Sequence, residues 1–315
     1  MIVGSVVISL DAELGWGFHD RTTLPEGHVL AGRHAWQWLC RKFDEYNIKA
    51  TWAITGHLFL EECQSLHKNH PARERCCTSR TSSLSSQEIW FAKDLIEEIS
   101  TSNVDHEIAS HGFSHVHFEH EKIDREFVVQ EIEASVAAAA EQDLDLASFV
   151  FPVNKIAHTD VLAEHNFSCY RGVSPWQNRN SVWRGRLKKL ASSTVGRLAP
   201  PLVEPHQDEH GLVNIPASLY LFNFEGLVRS ALASVGRDPV VKQAISGINN
   251  AVENDGVFHM WLHPHNLRTQ RDFERLETIL AHLSQRLEDG LQIETMAEIA
   301  DRVAASPAPH LKSYA

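Results

Sequence analysis

The amino-acid sequence predicts an α/β fold in which buried strands alternate with amphipathic helices. Three observations lead there. A near-continuous apolar run opens the chain, short β-rich runs then alternate with helical periodicities, and titratable side chains collect at strand ends.

The opening run, VGSVVISL at residues 3–10, has the pattern of a strand buried on both faces. Trp36, Leu39, Cys40 and Phe43 then fall at helical spacing and predict a helix over 33–46, followed by a strand, IKATWAI, at 48–54. A second helix is predicted over 86–99, with Ile89, Leu95, Ile96 and Ile99 apolar, and a long one over 123–140, with Phe127, Ile132 and Val136 on one side. Further strands are predicted at 148–153, 213–216, 256–262 and 291–293. The helix at 272–287 stops before Gly290, a residue suited to a C-terminal cap. Thr295 with Glu298 forms a capping box for the final helix. Residues 63–86 and 177–203 read as polar insertions and 306–315 as a flexible tail, so one domain over 1–305 is expected.

Of the 315 residues, 43% are hydrophobic and 22% charged, which excludes disorder, collagen and a coiled coil. A net charge of -12 lacks the basic footprint of a duplex binder, so no nucleic-acid partner is expected. The 20 His direct attention to a metal or acid–base site. Cys40, Cys63, Cys76, Cys77 and Cys169 are odd in number and too few for a disulfide scaffold. The opening MIVGSVVISLDAE has no basic flank, and no apolar run reaches the ~18 residues of a membrane span. A cytoplasmic protein without a transmembrane segment is the expectation.

The chemistry gathers at three strand ends. Asp11 and Glu13 follow the first strand, and period-two alternation points both carboxylates to one side. Carboxylates there do little for folding and are well placed for chemistry. His111 and His115 are four apart, the spacing that stacks two side chains on one face of a helical turn, and two such imidazoles can share a metal. His259, His263, His265 and Asn266 crowd the end of a late apolar strand, where His263, directly after Leu262, is the best general acid. Trp16, Trp176 and Trp261 lie beside these residues in sequence, as faces for a sugar ring or as core.

In this order, these residues resemble the polysaccharide deacetylases, carbohydrate esterase family four. The family's T-F-D-D-G or D-x-D motif reads Ser9-Leu10-Asp11-Ala12-Glu13, and A-T-F-F-V-x-G reads Ala50-Thr51-Trp52-Ala53-Ile54-Thr55-Gly56. H-E-I-x-x-H-[ST]-x-x-H runs from His106 to His115, with Gly112 where Ser or Thr is usual. R-x-P-Y keeps only its proline, in Val150-Phe151-Pro152-Val153, and the late Leu-His pair is Leu262-His263. The resemblance spans about residues 1–300.

It implies a distorted (β/α) barrel and a divalent metal, Zn2+ first, with Co2+, Ni2+, Fe2+ or Mn2+ as alternatives. Glu13, His111 and His115 take the ligand positions, Asp11 the base position and His263 that of the acid. Glu in place of Asp adds a methylene and leaves the roles of Asp11 and Glu13 exchangeable. Arg171 would supply the charge of the missing third-motif Arg. Asn154 would sit at the site mouth, the Val153 backbone N–H would serve as oxyanion donor, and Trp16, Trp261 and His265 would contact substrate. The expected activity is metal-dependent N-deacetylation of an N-acetylated sugar or conjugate. The alternatives are another metal-dependent C–N hydrolase, acting on a ureide or small amide, and a non-catalytic carbohydrate-binding barrel. Residues 177–203 hold Arg179, Arg184, Arg186, Lys188, Lys189 and Arg197 without any acid, which suits a phosphate-linked substrate and peripheral membrane contact.

Overall fold

The computed structural model describes residues 4–63, 82–121, 123–175, 199–222 and 238–305. The expected tail, Trp176, the six basic residues of the second insertion and most of the first insertion lie outside the described residues.

Among the described residues, ten strands form one sheet: β1 (Ser5–Ala12), β2 (Thr51–Ile54), β3 (Glu107–Ser110), β4 (Ser148–Phe149), β5 (Cys169–Gly172), β6 (His206–Gln207), β7 (Val213–Pro216), β8 (Leu219–Tyr220), β9 (Val257–Leu262) and β10 (Gln292–Ile293). The order is β6-β7-β5-β4-β3-β2-β1-β9-β8, with β10 on the start of β1, and every pairing but β6–β7 is parallel. β7 and β8 are nearly one run, broken at Ala217 and Ser218. The first half pairs with β5 and the second with β9. That change of partner joins the two flanks of the sheet, and the Ala217 N–H to Gly172 O and Ser218 N–H to His259 O bonds carry it across. The result is the distorted (β/α) barrel that the resemblance implies, in keeping with the alternation of strands and helices.

Eight helices among the described residues accompany the strands: α1 (Glu26–Tyr46), α2 (Ser86–Trp90), α3 (Lys93–Ser100), α4 (Arg125–Ala140), α5 (Thr159–Glu164), α6 (Pro239–Glu253), α7 (Gln270–Leu287) and α8 (Met296–Ala305). Among the described residues, no helix is long and apolar enough to cross a membrane. The capping box of Thr295 and Glu298 is present ahead of α8. The single helix expected over 86–99 is instead two. Phe91 is extended, both Phe91 and Ala92 are buried, and the Ala92 N–H donates to Leu58 O, so a tertiary bond replaces the helical one. The strand expected at 148–153 keeps only β4, because the chain turns left-handed at Val153 and Asn154. α1 begins earlier than the apolar stripe indicates, at Glu26, whose carboxylate accepts bonds from Ser82 and Ser83.

Period-two alternation sorts the strand residues between two cores. Val6, Ile8, Leu10, Trp52, Ile54, Phe258, Met260 and Leu262 join the cluster shared with the surrounding helices. Val7, Ala53, Ala109, Cys169, Val213, Ile215 and Val257 form the second cluster with Met296, Ile299 and Ala300 of α8. That second set lines the barrel interior, and α8 fills its lower end. Continuing the inward series upward along each strand reaches Ser9 and Asp11, His111, Arg171, and His259 and His263. The polar interior therefore begins directly above an apolar floor.

His106 starts the His-rich stretch but sits at the lower end of β3, away from His111. Its Nδ1 accepts the Ala50 N–H at 3.1 Å, and its ring packs on Phe43 and Trp52. Burial lowers its pKa to about 4. The unfolded chain, with the ordinary value of 6.5, therefore takes up the proton first. Stability is expected to be complete above about pH 6.5 and to fall as the pH drops towards 4, by up to ~3 kcal/mol from this group. Urea unfolding across that window, repeated with His106→Gln, checks it: the variant should show the shallower pH dependence.

Candidate active site

Asp11 lies within β1 rather than after it, and Glu13 follows one residue beyond the strand. Both carboxylates reach the upper end of the barrel, as the alternation predicts. The chain then winds into a short 3-10 turn, Leu14–Phe18. A side chain on Gly17 would stand 2.4 Å from the Glu13 carboxyl, so glycine there leaves Glu13 its space.

His111 and His115 do meet, with ring centres 4.9 Å apart, but no helical turn brings them together. β3 ends at Ser110, and the chain reverses through left-handed residues at Gly112 (φ 73°) and His115 (φ 57°). A buried carboxylate from α4 holds this loop. Glu131 Oε2 accepts the N–H groups of Phe113 (3.2 Å) and Ser114 (2.9 Å), and Oε1 accepts the Ser114 hydroxyl at 2.6 Å. Sequence reasoning missed Glu131, although an acid lying between Val128, Ile132 and Ser135 on the buried stripe of α4 was a signal for it.

Glu13, His111 and His115 offer ligand atoms that all lie within 4.8 Å of one another, and all three are buried. Glu13 Oε2 is 2.7 Å from His115 Nε2 and 3.5 Å from His111 Nε2. His111 Nδ1 donates to Val150 O at 2.7 Å, which leaves the lone pair of Nε2 facing Glu13. His111 Nε2 is buried without a hydrogen-bond partner and turns its lone pair towards a carboxylate oxygen, a costly arrangement that a bound cation would relieve. Burial works against charge on Glu13, but His263 and His115 outweigh it and hold its pKa well below the ordinary range. Burial likewise opposes charge on His115, yet the Glu13 carboxylate wins and raises its pKa. Positive charge is thus favoured between these atoms. The donor set of one carboxylate and two imidazoles fits zinc and its divalent neighbours.

Asp11 is occupied differently. Arg171, reaching inward from β5, donates Nη1–H to Oδ1 (2.5 Å) and Nη2–H to Oδ2 (2.7 Å). Burial raises the Asp11 pKa, the Arg171 charge and hydrogen bonds lower it, and the net shift is downward. The guanidinium also donates to Asn154 Oδ1 (2.9 and 3.1 Å) and to Ser9 Oγ (3.2 Å). Ser9 Oγ lies 2.8 Å from Nε2 of the buried His259, whose pKa burial pushes down to about 3. His259 is therefore a neutral support beneath the site.

His263 is the more open member, with 19% of its side chain exposed. Its Nε2 lies 3.3 Å from Glu13 Oε1 and 3.7 Å from Asp11 Oδ2. His265, expected to touch substrate, is buried behind the carboxylate instead, with Nδ1 3.6 Å from Glu13 Oε1. Burial and the neighbouring His263 take its pKa down to about 3. The two tryptophans expected to face a sugar are also buried. Trp16 is fully enclosed, against His57 and Trp90. Trp261 has both faces occupied, one by Tyr220 stacked at 3.9 Å and the other by the Arg171 guanidinium at 4.2 Å. Neither ring has a free face: Trp16 belongs to the core shared with the helices, and Trp261 lies between Tyr220 and Arg171. Val153, by contrast, is 51% exposed in the short turn Pro152–Asn154 after β4, with φ 50°, a strained conformation for a β-branched residue.

No protein-family model matches the sequence, and no curated protein matches it. Solved structures do match in fold. A protein from Mycobacterium smegmatis assigned as a polysaccharide deacetylase superimposes with a TM-score of 0.60 at 17% identity, over 96% of this chain and 90% of the other. A second, from Pseudomonas aeruginosa PAO1 and likewise assigned, gives 0.56 at 12% identity, over 94% and 89%. An allantoinase gives 0.55 at 12% identity, over 96% and 90%. The chain has the polysaccharide deacetylase fold. At such identities the likeness is one of fold, and function has to be argued from the site.

Proposed function

We propose that this protein is a metal-dependent N-deacetylase that hydrolyses the N-acyl, chiefly N-acetyl, amide of a sugar or sugar conjugate. The observation that carries the reading is the buried group Glu13, His111 and His115, with the Arg171-bound Asp11 and the more open His263 beside it. Glu13, His111 and His115 would hold a divalent cation, Zn2+ before its neighbours, and when bound it supplies Lewis-acid polarisation of a water and of an acyl carbonyl. Asp11 serves as the base that takes the proton of the attacking water. Arg171 keeps it anionic and aimed, at some cost in basicity. His263 gives the proton at Nε2 to the leaving nitrogen, which cannot depart as an amide anion. The Val153 N–H is the candidate donor to the acyl oxygen, and Asn154 holds Arg171 from the same turn. That Asp11 spends both oxygens on Arg171, while Glu13 keeps Oε2 towards the two imidazoles, supports this order of roles over the exchanged one.

The test is acetate release from N-acetylated saccharides, free and phosphate-linked, by the protein loaded with one zinc per chain. Asp11→Asn and His263→Ala are each expected to lower turnover by ~10²-fold or more, with metal content retained. A second reading, hydrolysis of a ureide, draws support from the fold shared with the allantoinase. Ammonia or urea release from linear and cyclic ureides, without acetate release, would select it. Saccharide binding with no turnover of either substrate by the zinc-loaded protein would leave a carbohydrate-binding barrel.

A further inference from the structure

We propose that Tyr220 is a positioning residue for His263, seated by Trp261 and Asn266; the inference rests on His263 acting as the acid. The imidazole's χ2 torsion is broad and roughly two-fold, so nothing within the side chain decides which nitrogen faces the carboxylates. Tyr220 decides it. Its hydroxyl lies 2.7 Å from His263 Nδ1, which leaves Nε2 towards Glu13 and Asp11.

The hydroxyl is itself held from two sides. Asn266 Nδ2 donates to it at 2.9 Å, and the phenol ring stacks on Trp261 with an interplanar angle of 9°. The opposite face of the same indole carries Arg171, the partner of Asp11. This arrangement depends on the break between β7 and β8. Because the chain leaves β5 after β7 and pairs through β8 with β9, the register sets Tyr220 opposite Trp261, two residues before His263. Burial raises the Tyr220 pKa well above its ordinary value, so the hydroxyl keeps its proton at any pH of interest. The hydroxyl can donate to Nδ1 of the neutral ring, which leaves the hydrogen on Nε2, and accept from Nδ1 of the imidazolium, so Tyr220 keeps the ring in one orientation in both states.

Tyr220→Phe keeps the stack and removes only the hydroxyl. In the zinc-loaded full chain, kcat on an N-acetyl amide is expected to fall on the order of ten-fold, less than the ~10²-fold or more of losing the acid itself, with KM nearly unchanged. An aryl acetate, whose phenolate departs without a proton, should be turned over at the parent rate. A merely structural role would slow both substrates alike, and that outcome overturns the proposal. A second readout is independent of activity. In protein labelled with 15N-histidine, the His263 ring signals, assigned through His263→Gln, should report a single form protonated at Nε2. Tyr220→Phe should give signals averaged over the two nitrogens. Unchanged signals overturn the proposal whatever the enzyme hydrolyses. Altered signals in a protein without amidase activity support the positioning and count against the functional reading alone.

Discussion

Glu13→Gln and His111→Ala are each expected to abolish stoichiometric metal binding and turnover together. The loss of affinity should exceed the ~10–100-fold typical of changing a residue that merely hydrogen-bonds to a ligand. Both side chains are buried, and theirs is the one three-ligand group among the described residues, so losing either leaves two ligands. Metal analysis of the dialysed protein, beside acetate release, reads both quantities. Asp11→Asn is the control: it should keep the cation and lose turnover. If Asp11→Asn lost the metal and Glu13→Gln kept it, the two carboxylates would have exchanged roles, and the distribution of their oxygens would have misled us.

Arg171→Met should be the most destabilising single change at the site, by about 3–5 kcal/mol, the usual result of removing one partner from a buried ion pair. The side chains of Arg171 and Asp11 are 0% and 3% exposed, so the stranded carboxylate has no water to turn to. The change also removes donors to Ser9 and Asn154 and uncovers one face of Trp261. Urea unfolding of the metal-free protein at neutral pH measures the loss. Adding Asp11→Asn to the same chain should restore part of it, because the uncompensated charge is gone. A cost below 1 kcal/mol for Arg171→Met would mean that Asp11 finds another cation or reaches solvent. Arg171 would then not be what keeps the base in place.

Much of the site was legible in the sequence because strand periodicity is local. Alternation along residues 3–13 placed Asp11 and Glu13 on one side, and the titratable residues after Leu262 announced a strand end bordering something polar. Helical spacing misled at His111 and His115. Four residues separate them, but their meeting depends on left-handed Gly112 and on Glu131 reaching in from α4. Aromatic residues close to the site in sequence were no guide either, since Trp16 and Trp261 are covered by partners distant in the chain, Trp90 and Arg171 among them.

The sequence by itself therefore determined the alternation of strands and helices, the inward set of titratable residues and the resemblance in motif order. Each of these depends on residue type and spacing over a few positions, where backbone geometry repeats. Only the tertiary structure decided that β7 pairs with β5 while β8 pairs with β9, that Arg171 binds both oxygens of Asp11, that Glu13 keeps one oxygen for the imidazoles, and that Tyr220 faces His263. The physical reason is register. Whether two side chains on different strands lie within hydrogen-bond reach depends on how those strands slide and twist against each other. That is settled by packing across the whole barrel, not by any local stretch of sequence.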